Sequence, residues 1–182
     1  MYPEFLKPNA IEVFQIENNS IEIPKCIVNF NKWQGEPVKE SFGGKPIIDL
    51  NNKPMFAEVA ILNLFLQSGW EVRWISTYGS SNKGPKLLAG WADDKYKNQT
   101  SEEITDVKVK ELLIGIANEN NDSYFGCWDV LAWKDEKIIF AESKRKQKDN
   151  IRQTQINWLE AGLKFGLKPE NFLVVQWDFR TE

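Results

Sequence analysis

Residues 125–144 read FGCWDVLAWKDEKIIFAESK, and this stretch decides the fold. Two apolar runs with alternating character, which is typical of β-strands, are joined by four consecutive charged residues. The sequence predicts a strand over Phe125–Trp133, a tight turn over Lys134–Lys137 and a second strand over Ile138–Lys144. A β-hairpin therefore forms the centre of the predicted structure.

The register of this hairpin would bring two carboxylates together. If Asp135 and Glu136 form the tip, Asp129 faces Glu142, and the Cβ atoms of such opposed residues lie about 4.5–5.5 Å apart. Lys144 lies two residues beyond Glu142 and would point to the same face. A register shifted by one residue would instead turn Asp129 to the opposite face.

Two adjacent carboxylates repel each other, and a shared cation would offset that repulsion. The sequence contains no histidine, which excludes Ser-His-Asp triads, Cys-His proteases and zinc sites built on histidine. Carboxylate, carbonyl and water ligands favour magnesium, manganese or calcium. Lys144 could then orient the attacking water or stabilise charge on a phosphate, although an ordinary Asp and Glu on a hairpin would give the same pattern.

Two predicted helices flank the hairpin, and each carries one polar candidate. The first is predicted over Pro54–Ser68, where Glu58 borders the apolar face or lies on a solvated rim. The second is predicted from Asn150, as its N-terminal cap, to about Phe165. Gln155 lies on the inward side of this second helix, where its amide needs a partner, and a purely structural hydrogen bond would satisfy it equally.

The rest of the chain supplies further elements of the same sheet-and-helix pattern. Two alternating runs within residues 1–50 predict short strands or an extended arm. The other predicted elements are a strand over 70–76, a helix over 107–117, a turn over 118–122 and a last buried strand over 171–177. The predicted order is helix, strand, insertion, strand, strand, helix, strand.

This layout resembles the PD-(D/E)XK nuclease superfamily. Residues 126–166 are most similar to its VRR-NUC, or Holliday-resolvase-like, branch, in which a Q-x-x-W pair occurs in the later helix, here Gln155 and Trp158. Trp128 stands where the name of the motif places proline. The resemblance covers about residues 54–178.

The resemblance implies an α/β fold with a restriction-endonuclease-like αβββαβ core, in which helices flank a mixed central sheet. It places that core at 54–178, interrupted by an insertion at 77–121. Residues 1–53 would be an N-terminal extension, and residues 1–182 a single domain. The extension and the insertion match no family pattern.

For the site, the resemblance implies metal ligation by Asp129 and Glu142, with Glu58 as an outer or third carboxylate. It makes Lys144 catalytic and Gln155 supporting. We therefore expect a Mg²⁺- or Mn²⁺-dependent endonuclease that hydrolyses phosphodiester bonds, with DNA favoured over RNA on family grounds and a homodimer possible. The alternatives are a non-catalytic nucleic-acid-binding or protein-interaction module on the same fold, or an unrelated small α/β domain if the register fails.

Basic residues follow the hairpin directly. They could contact phosphates beside a phosphodiester site or form a solvated turn. The candidates are Arg145, Lys146, Lys148 and Arg152. Lys83 and Lys86, with Trp91 nearby, could add clamp or stacking contacts. The net charge of −3 gives no support of its own to nucleic-acid binding.

Composition sets the remaining expectations. A chain of 182 residues can form one domain with a substantial core, to which some of its eight tryptophans must belong. No apolar run approaches the roughly 20 residues that cross a bilayer. The start of the sequence lacks a secretory pattern, so we expect a cytoplasmic protein. Cys26 and Cys127 would be reduced thiols or one buried disulfide.

Overall fold

The computed structural model describes residues 2–78 and 84–181. Over these residues the chain is an α/β structure with a nine-stranded mixed sheet. Its strands are β1 (Ala10–Ile16), β2 (Asn19–Lys32), β3 (Ile48–Asp49), β4 (Pro54–Met55), β5 (Glu71–Ser76), β6 (Lys86–Leu88), β7 (Val130–Lys134), β8 (Lys137–Arg145) and β9 (Phe172–Phe179). Its helices are α1 (Ala57–Gln67), α2 (Val107–Glu119) and α3 (Gln153–Lys164), with short 3₁₀ helices at Glu4–Leu6, Tyr96–Asn98 and Pro169–Asn171.

The sheet has the order β4-β3-β2-β9-β8-β7-β5-β6, and β1 pairs with β2 beside this path. β9 is parallel to both β2 and β8, whereas β5, β7 and β8 form an antiparallel meander. A parallel neighbour requires a crossover connection, which α3 supplies between β8 and β9. The predicted order of elements is confirmed, and the strands of residues 1–53 belong to the same sheet.

Helices cover both faces of the sheet. α1 packs on one face, against residues such as Val130 and Ala132 of β7. α2 and α3 pack on the other face, against the alternating residues Leu131 and Trp133. No helix in the described part of the chain is long and apolar enough to cross a membrane.

The two cysteines are free thiols, not a disulfide. Cys26 belongs to the apolar cluster on the α1 side, and Cys127 to the cluster on the α2 and α3 side. The sheet separates them. Of the two predicted possibilities, the reduced pair is present.

Two helices begin later than predicted, α1 by three residues and α3 by two. Pro54 does not start α1, because Pro54–Met55 pairs with β3 and holds that segment in a strand. Asn150 does not cap α3; the helix begins at Gln153, and the backbone N–H of Arg152 donates to Gln155 Oε1 at 2.9 Å. Both helices therefore begin beside the sheet edge where the candidate residues lie.

The central hairpin has the predicted register but a shorter first strand. Trp133 pairs with Ile138 and Val130 with Ala141. The strand predicted from Phe125 begins only at Val130, because Phe125 and Gly126 form a turn. Gly126 has a φ of 84°, and a Cβ there would lie 1.9 Å from the carbonyl oxygen of Thr154, so only glycine permits this packing against α3.

The helix predicted over 107–117 is α2, which continues to Glu119 and takes up the first residues of the predicted turn. Asp106 caps it by accepting the backbone N–H of Val109 at 3.1 Å.

Candidate active site

The candidate residues meet at the edge of the sheet where β7 begins. Asp129 directly precedes β7. Because β5 and β8 run antiparallel to β7, their C-terminal ends lie at this edge, together with the N-termini of α1 and α3. Helix N-termini carry partial positive charge, which suits carboxylates and other anions. Glu58 lies in the first turn of α1 and Gln155 in the first turn of α3.

A cavity of about 550 Å³, called the central cavity below, opens at this edge. Asp129, Glu142, Lys144, Glu58 and Gln155 all line it, so the structure brings together every predicted residue of the centre. Among the described residues, four acidic and three basic side chains line the cavity. These are Glu58, Asp129, Glu142 and Asp149, and Lys45, Lys144 and Arg152.

Asp129 and Glu142 are linked by reciprocal contacts with the facing backbone. The N–H of Asp129 donates to Glu142 Oε2 at 3.2 Å, and the N–H of Ser143 donates to Asp129 Oδ2 at 3.0 Å. The Ser143 hydroxyl points away from the two carboxylates and accepts from Trp177 Nε1 at 3.1 Å. The backbone of Ser143 nevertheless takes part in the site, which its side-chain direction did not predict.

Glu142 is 1% exposed and holds two further polar groups on one oxygen. Lys144 Nζ lies 2.7 Å from Glu142 Oε1, and Gln155 Nε2 donates to the same atom. Since the Gln155 oxygen accepts the N–H of Arg152, both ends of this amide are fixed. Gln155 therefore positions Glu142 relative to α3.

Both carboxyl groups are harder to ionise than free carboxyl groups, chiefly because they are withdrawn from water. Burial, followed by repulsion from Glu142 and Glu58, raises the pKa of Asp129 well above its usual range. Burial also raises the pKa of Glu142, although Lys144 beside it acts in the opposite direction. The pair is therefore costly to hold ionised in the protein alone.

Glu58 faces the same cavity but forms an ion pair with Lys45. Burial alone would lower the pKa of Lys45, but attraction by Glu58, Asp129 and Asp149 raises it. Lys45 therefore stays protonated among the acidic groups. Its stretch, SFGGKP, has no periodicity and lies in the predicted N-terminal extension, so nothing in the sequence marked it.

In residues 2–78 and 84–181, no group of three or more histidine, cysteine, aspartate or glutamate side chains is arranged to hold a metal ion. The adjacent carboxylates are the pair Asp129 and Glu142, while Glu58 is held by Lys45.

The predicted phosphate-binding residues separate into three environments. Arg145 points away from Lys144, pairs with Asp178 at 3.3 Å and lies over the ring of Phe179. Lys146 and Lys148 are exposed on the turn after β8. Of the four predicted residues, Arg152 alone lines the central cavity.

The predicted clamp does not form in the described part of the chain. Lys83 lies outside the described residues. Lys86 Nζ donates to the carbonyl oxygens of Tyr96 and Gln99, each at 3.0 Å, and lies over the Tyr96 ring. Trp91 is partly buried in the aromatic packing next to α1. Both residues are structural.

Comparison of the chain with known family models, curated proteins and solved structures finds no match.

Proposed function

We propose that this protein is a divalent-metal-dependent endonuclease that hydrolyses phosphodiester bonds, with DNA preferred to RNA. The observation that carries the proposal is a pair of adjacent carboxylates, Glu142 buried and Asp129 half-buried, with Lys144 on Glu142, at an open cavity. Replacing buried charged groups by neutral ones is often stabilising, so the arrangement is poorly explained as a structural device. A catalytic centre explains it better.

The topology supports a restriction-endonuclease-like αβββαβ core. α1, β5, β7, β8, α3 and β9 follow one another in that order, with an antiparallel meander and then a parallel strand. In this assignment β6 and α2 belong to the insertion at 77–121. The N-terminal extension adds strands beyond β9.

The donor set fits Mg²⁺ or Mn²⁺. Asp129 and Glu142 would hold the ion, because their oxygens are hard ligands and their charge is incompletely neutralised. Glu58 faces the same cavity and would become a third carboxylate on leaving Lys45. When bound, such an ion polarises a phosphate oxygen and lowers the pKa of a water molecule.

The chain's own groups would supply the remaining steps. Lys144 lies at the wall of the cavity, where its ammonium group can donate to a phosphate oxygen and stabilise the charge that develops there. Gln155 keeps the Glu142 carboxylate turned towards Lys144. Lys45 and Arg152 add positive charge around the substrate phosphate.

One observation favours the alternative of a non-catalytic binding module on the same fold. The Lys45 ammonium group already neutralises Glu58, and within the described ranges the acidic residues form no three-membered metal cluster. In that case the Lys45 ammonium group would permanently take the place of a metal ion.

The experiment that separates these functions compares Asp129→Asn with Asp135→Asn. Asp135 lies at the exposed tip of the same hairpin with a φ of 55°, which asparagine tolerates. With Mn²⁺ or Mg²⁺ we expect wild type and Asp135→Asn to cleave plasmid, branched or single-stranded DNA. Asp129→Asn should lose about 10²- to 10³-fold in rate.

Metal binding is measured separately by thermal unfolding. When the concentration of free metal ion is 100 times its Kd, binding stabilises the folded protein by about 2.7 kcal/mol. Wild type and Asp135→Asn should show this rise in Tm, and Asp129→Asn should not. A wild type that binds DNA but leaves every substrate intact, with no metal-dependent rise in Tm, would establish the binding module.

A further inference from the structure

We propose that Tyr78 and Phe125 form a nucleobase-stacking site at the mouth of the central cavity, which takes an unpaired nucleotide next to the bond to be cut. Both side chains line the same cavity as Asp129, Glu142 and Lys144. The proposal rests on the phosphodiester-cleaving function proposed above, because that function places a nucleic-acid strand in this cavity.

Among the described aromatic residues that line this cavity, these two rings are the exposed ones. Tyr78 is 69% exposed and Phe125 is 59% exposed. None of the eight tryptophans is exposed, and six of them are buried. Large aromatic rings normally lie in the core, so two exposed rings at one polar cavity indicate a surface that a ligand covers.

Contacts beneath the Tyr78 ring hold it in place. The Tyr78 ring packs edge-to-face on Phe42 and Tyr96, with ring centroids 5.5 and 5.4 Å away. Tyr96 also donates its hydroxyl to the Tyr78 carbonyl oxygen at 3.2 Å. A ring that is supported in this way loses little conformational entropy when a base stacks on it.

The turn that carries Phe125 is fixed in a similar manner. Asn120 Nδ2 donates to the Phe125 carbonyl oxygen at 3.1 Å, and the Phe125 N–H donates to the Ser123 hydroxyl at 3.2 Å. The next residue, Gly126, is pressed against the backbone of Thr154 in α3. The turn therefore presents Phe125 outwards from a rigid base.

The class of ligand follows from the chemistry on the two sides of the centre. An aromatic side chain can stack on a base of any type, but only when that base is not stacked within a duplex. On the other side, an adjoining cavity of about 260 Å³ shares Lys45, Glu58 and Asp149 with the first and adds Arg145 and Lys148. Bases would lie on the aromatic side, and the phosphate backbone would continue past the basic side.

The test measures binding of two fluorescent DNA probes, one single-stranded and one a blunt duplex of the same sequence, with Ca²⁺ in place of Mg²⁺. Wild type should bind the single strand more tightly. Tyr78→Leu and Phe125→Leu keep apolar bulk but remove the ring, and each should weaken single-strand binding by about 5- to 150-fold while duplex binding stays the same. A 2-aminopurine base in the strand should be quenched by stacking on the ring in the wild-type complex. In complexes of the leucine variants this quenching should be lost.

Two controls separate stacking from damage to the fold. Tyr78→Trp and Phe125→Trp should keep single-strand affinity, because indole stacks as well. Phe5→Leu alters another exposed aromatic residue, 71% exposed, that does not line this cavity, and it should bind as wild type does. Leucine variants that bind the single strand normally, or that lose single-strand and duplex binding equally, would overturn the stacking site.

The outcomes also distinguish this site from the nuclease function. Cleavage that needs Asp129 and metal, together with normal binding by the leucine variants, would overturn the stacking site and leave the nuclease. Ring-dependent binding by a protein that cleaves no substrate with any metal would support the stacking site and remove the nuclease.

Discussion

The two ends of the β7–β8 hairpin carry the same kinds of charged residue in opposite surroundings. At the tip, Lys134, Asp135, Glu136 and Lys137 are all exposed. At the open end, Glu142 is buried, and Asp129 and Lys144 are largely withdrawn from water. At the open end the pKa of both carboxylates is raised.

The difference shows that burial, and not residue type, distinguishes a candidate site from ordinary surface charge. Exposed ion pairs contribute about 0–1 kcal/mol, and the residues at the tip can vary with little effect. Charges withdrawn from water are costly, and proteins keep them mainly where they bind or react with something.

The largest effect is expected for Lys144→Met, which removes the ammonium group from the cavity and keeps the apolar stem. Removal of one electrostatic group that acts on a reacting phosphate typically lowers turnover by about 10²-fold or more. Metal binding should remain, because Asp129 and Glu142 are unchanged. Single-turnover cleavage with saturating Mn²⁺ measures the rate.

Lys137→Met is the counterpart at the tip and should cleave at the wild-type rate. Equal rates in wild type and Lys144→Met would assign the cleavage to a contaminating nuclease. Equal losses in the two lysine variants would mean that the open end has no special role.

The hairpin was the most predictable part of the molecule. Its register depends on a four-residue turn and on the two-residue period of strands, which are both local properties of the sequence. That information was sufficient to place Asp129, Glu142 and Lys144 together. The positions of Glu58 and Gln155 followed from helices whose centres were correctly predicted.

What the sequence could not predict depends on contacts between distant segments. Lys45 reaches Glu58 only because residues 1–53 join the sheet beside β9, and no periodic pattern records that pairing. α1 begins later than predicted because Pro54–Met55 pairs with β3 as a strand. The strand expected from Phe125 became a turn, because Gly126 has to approach Thr154 closely.

An intermediate effect is expected for Lys146 and Lys148, which lie near the open end but are exposed like the tip. Reversal of both charges in Lys146→Glu/Lys148→Glu should weaken DNA binding by about 10-fold at low salt. It should also reduce the slope of log K against log salt by about 1 for each lost phosphate contact. Fluorescence anisotropy at several salt concentrations measures both quantities.

The double reversal Lys134→Glu/Lys137→Glu changes the net charge by the same amount at the tip. It should leave the salt slope unaltered. Identical behaviour of the two double variants would show that the basic run after β8 is a solvated turn. The nucleic acid would then have to approach by another surface.

The smallest effect concerns stability without metal, and its sign follows from the raised pKa of Asp129. The folded protein holds the Asp129 carboxyl proton more tightly than the unfolded chain does. In the unfolded chain the pKa of an aspartate is about 3.9. The contribution of the protonated Asp129 carboxyl to stability is therefore complete below its pKa in the unfolded chain. It is lost as the pH rises through its pKa in the folded protein. As the pH rises, the cost of placing a negative charge on Asp129 therefore lowers the free energy of unfolding.

Asp129→Asn removes that charge and keeps a side-chain oxygen that can accept the N–H of Ser143. In chelator at pH 7, we expect the variant to be more stable than wild type by about 1 kcal/mol, or about 2–4 °C in Tm. The difference should shrink as the pH falls towards 4, because the wild-type carboxyl becomes protonated as well. Thermal unfolding followed by tryptophan fluorescence at several pH values measures it. Asp135→Asn, at the exposed tip of the same hairpin, is the matched control. An Asp129→Asn variant that is less stable than wild type at pH 7 would mean that Ser143, Lys144 and Lys45 already stabilise the ionised carboxylate, and that the open end, like the tip, has no need of a cation.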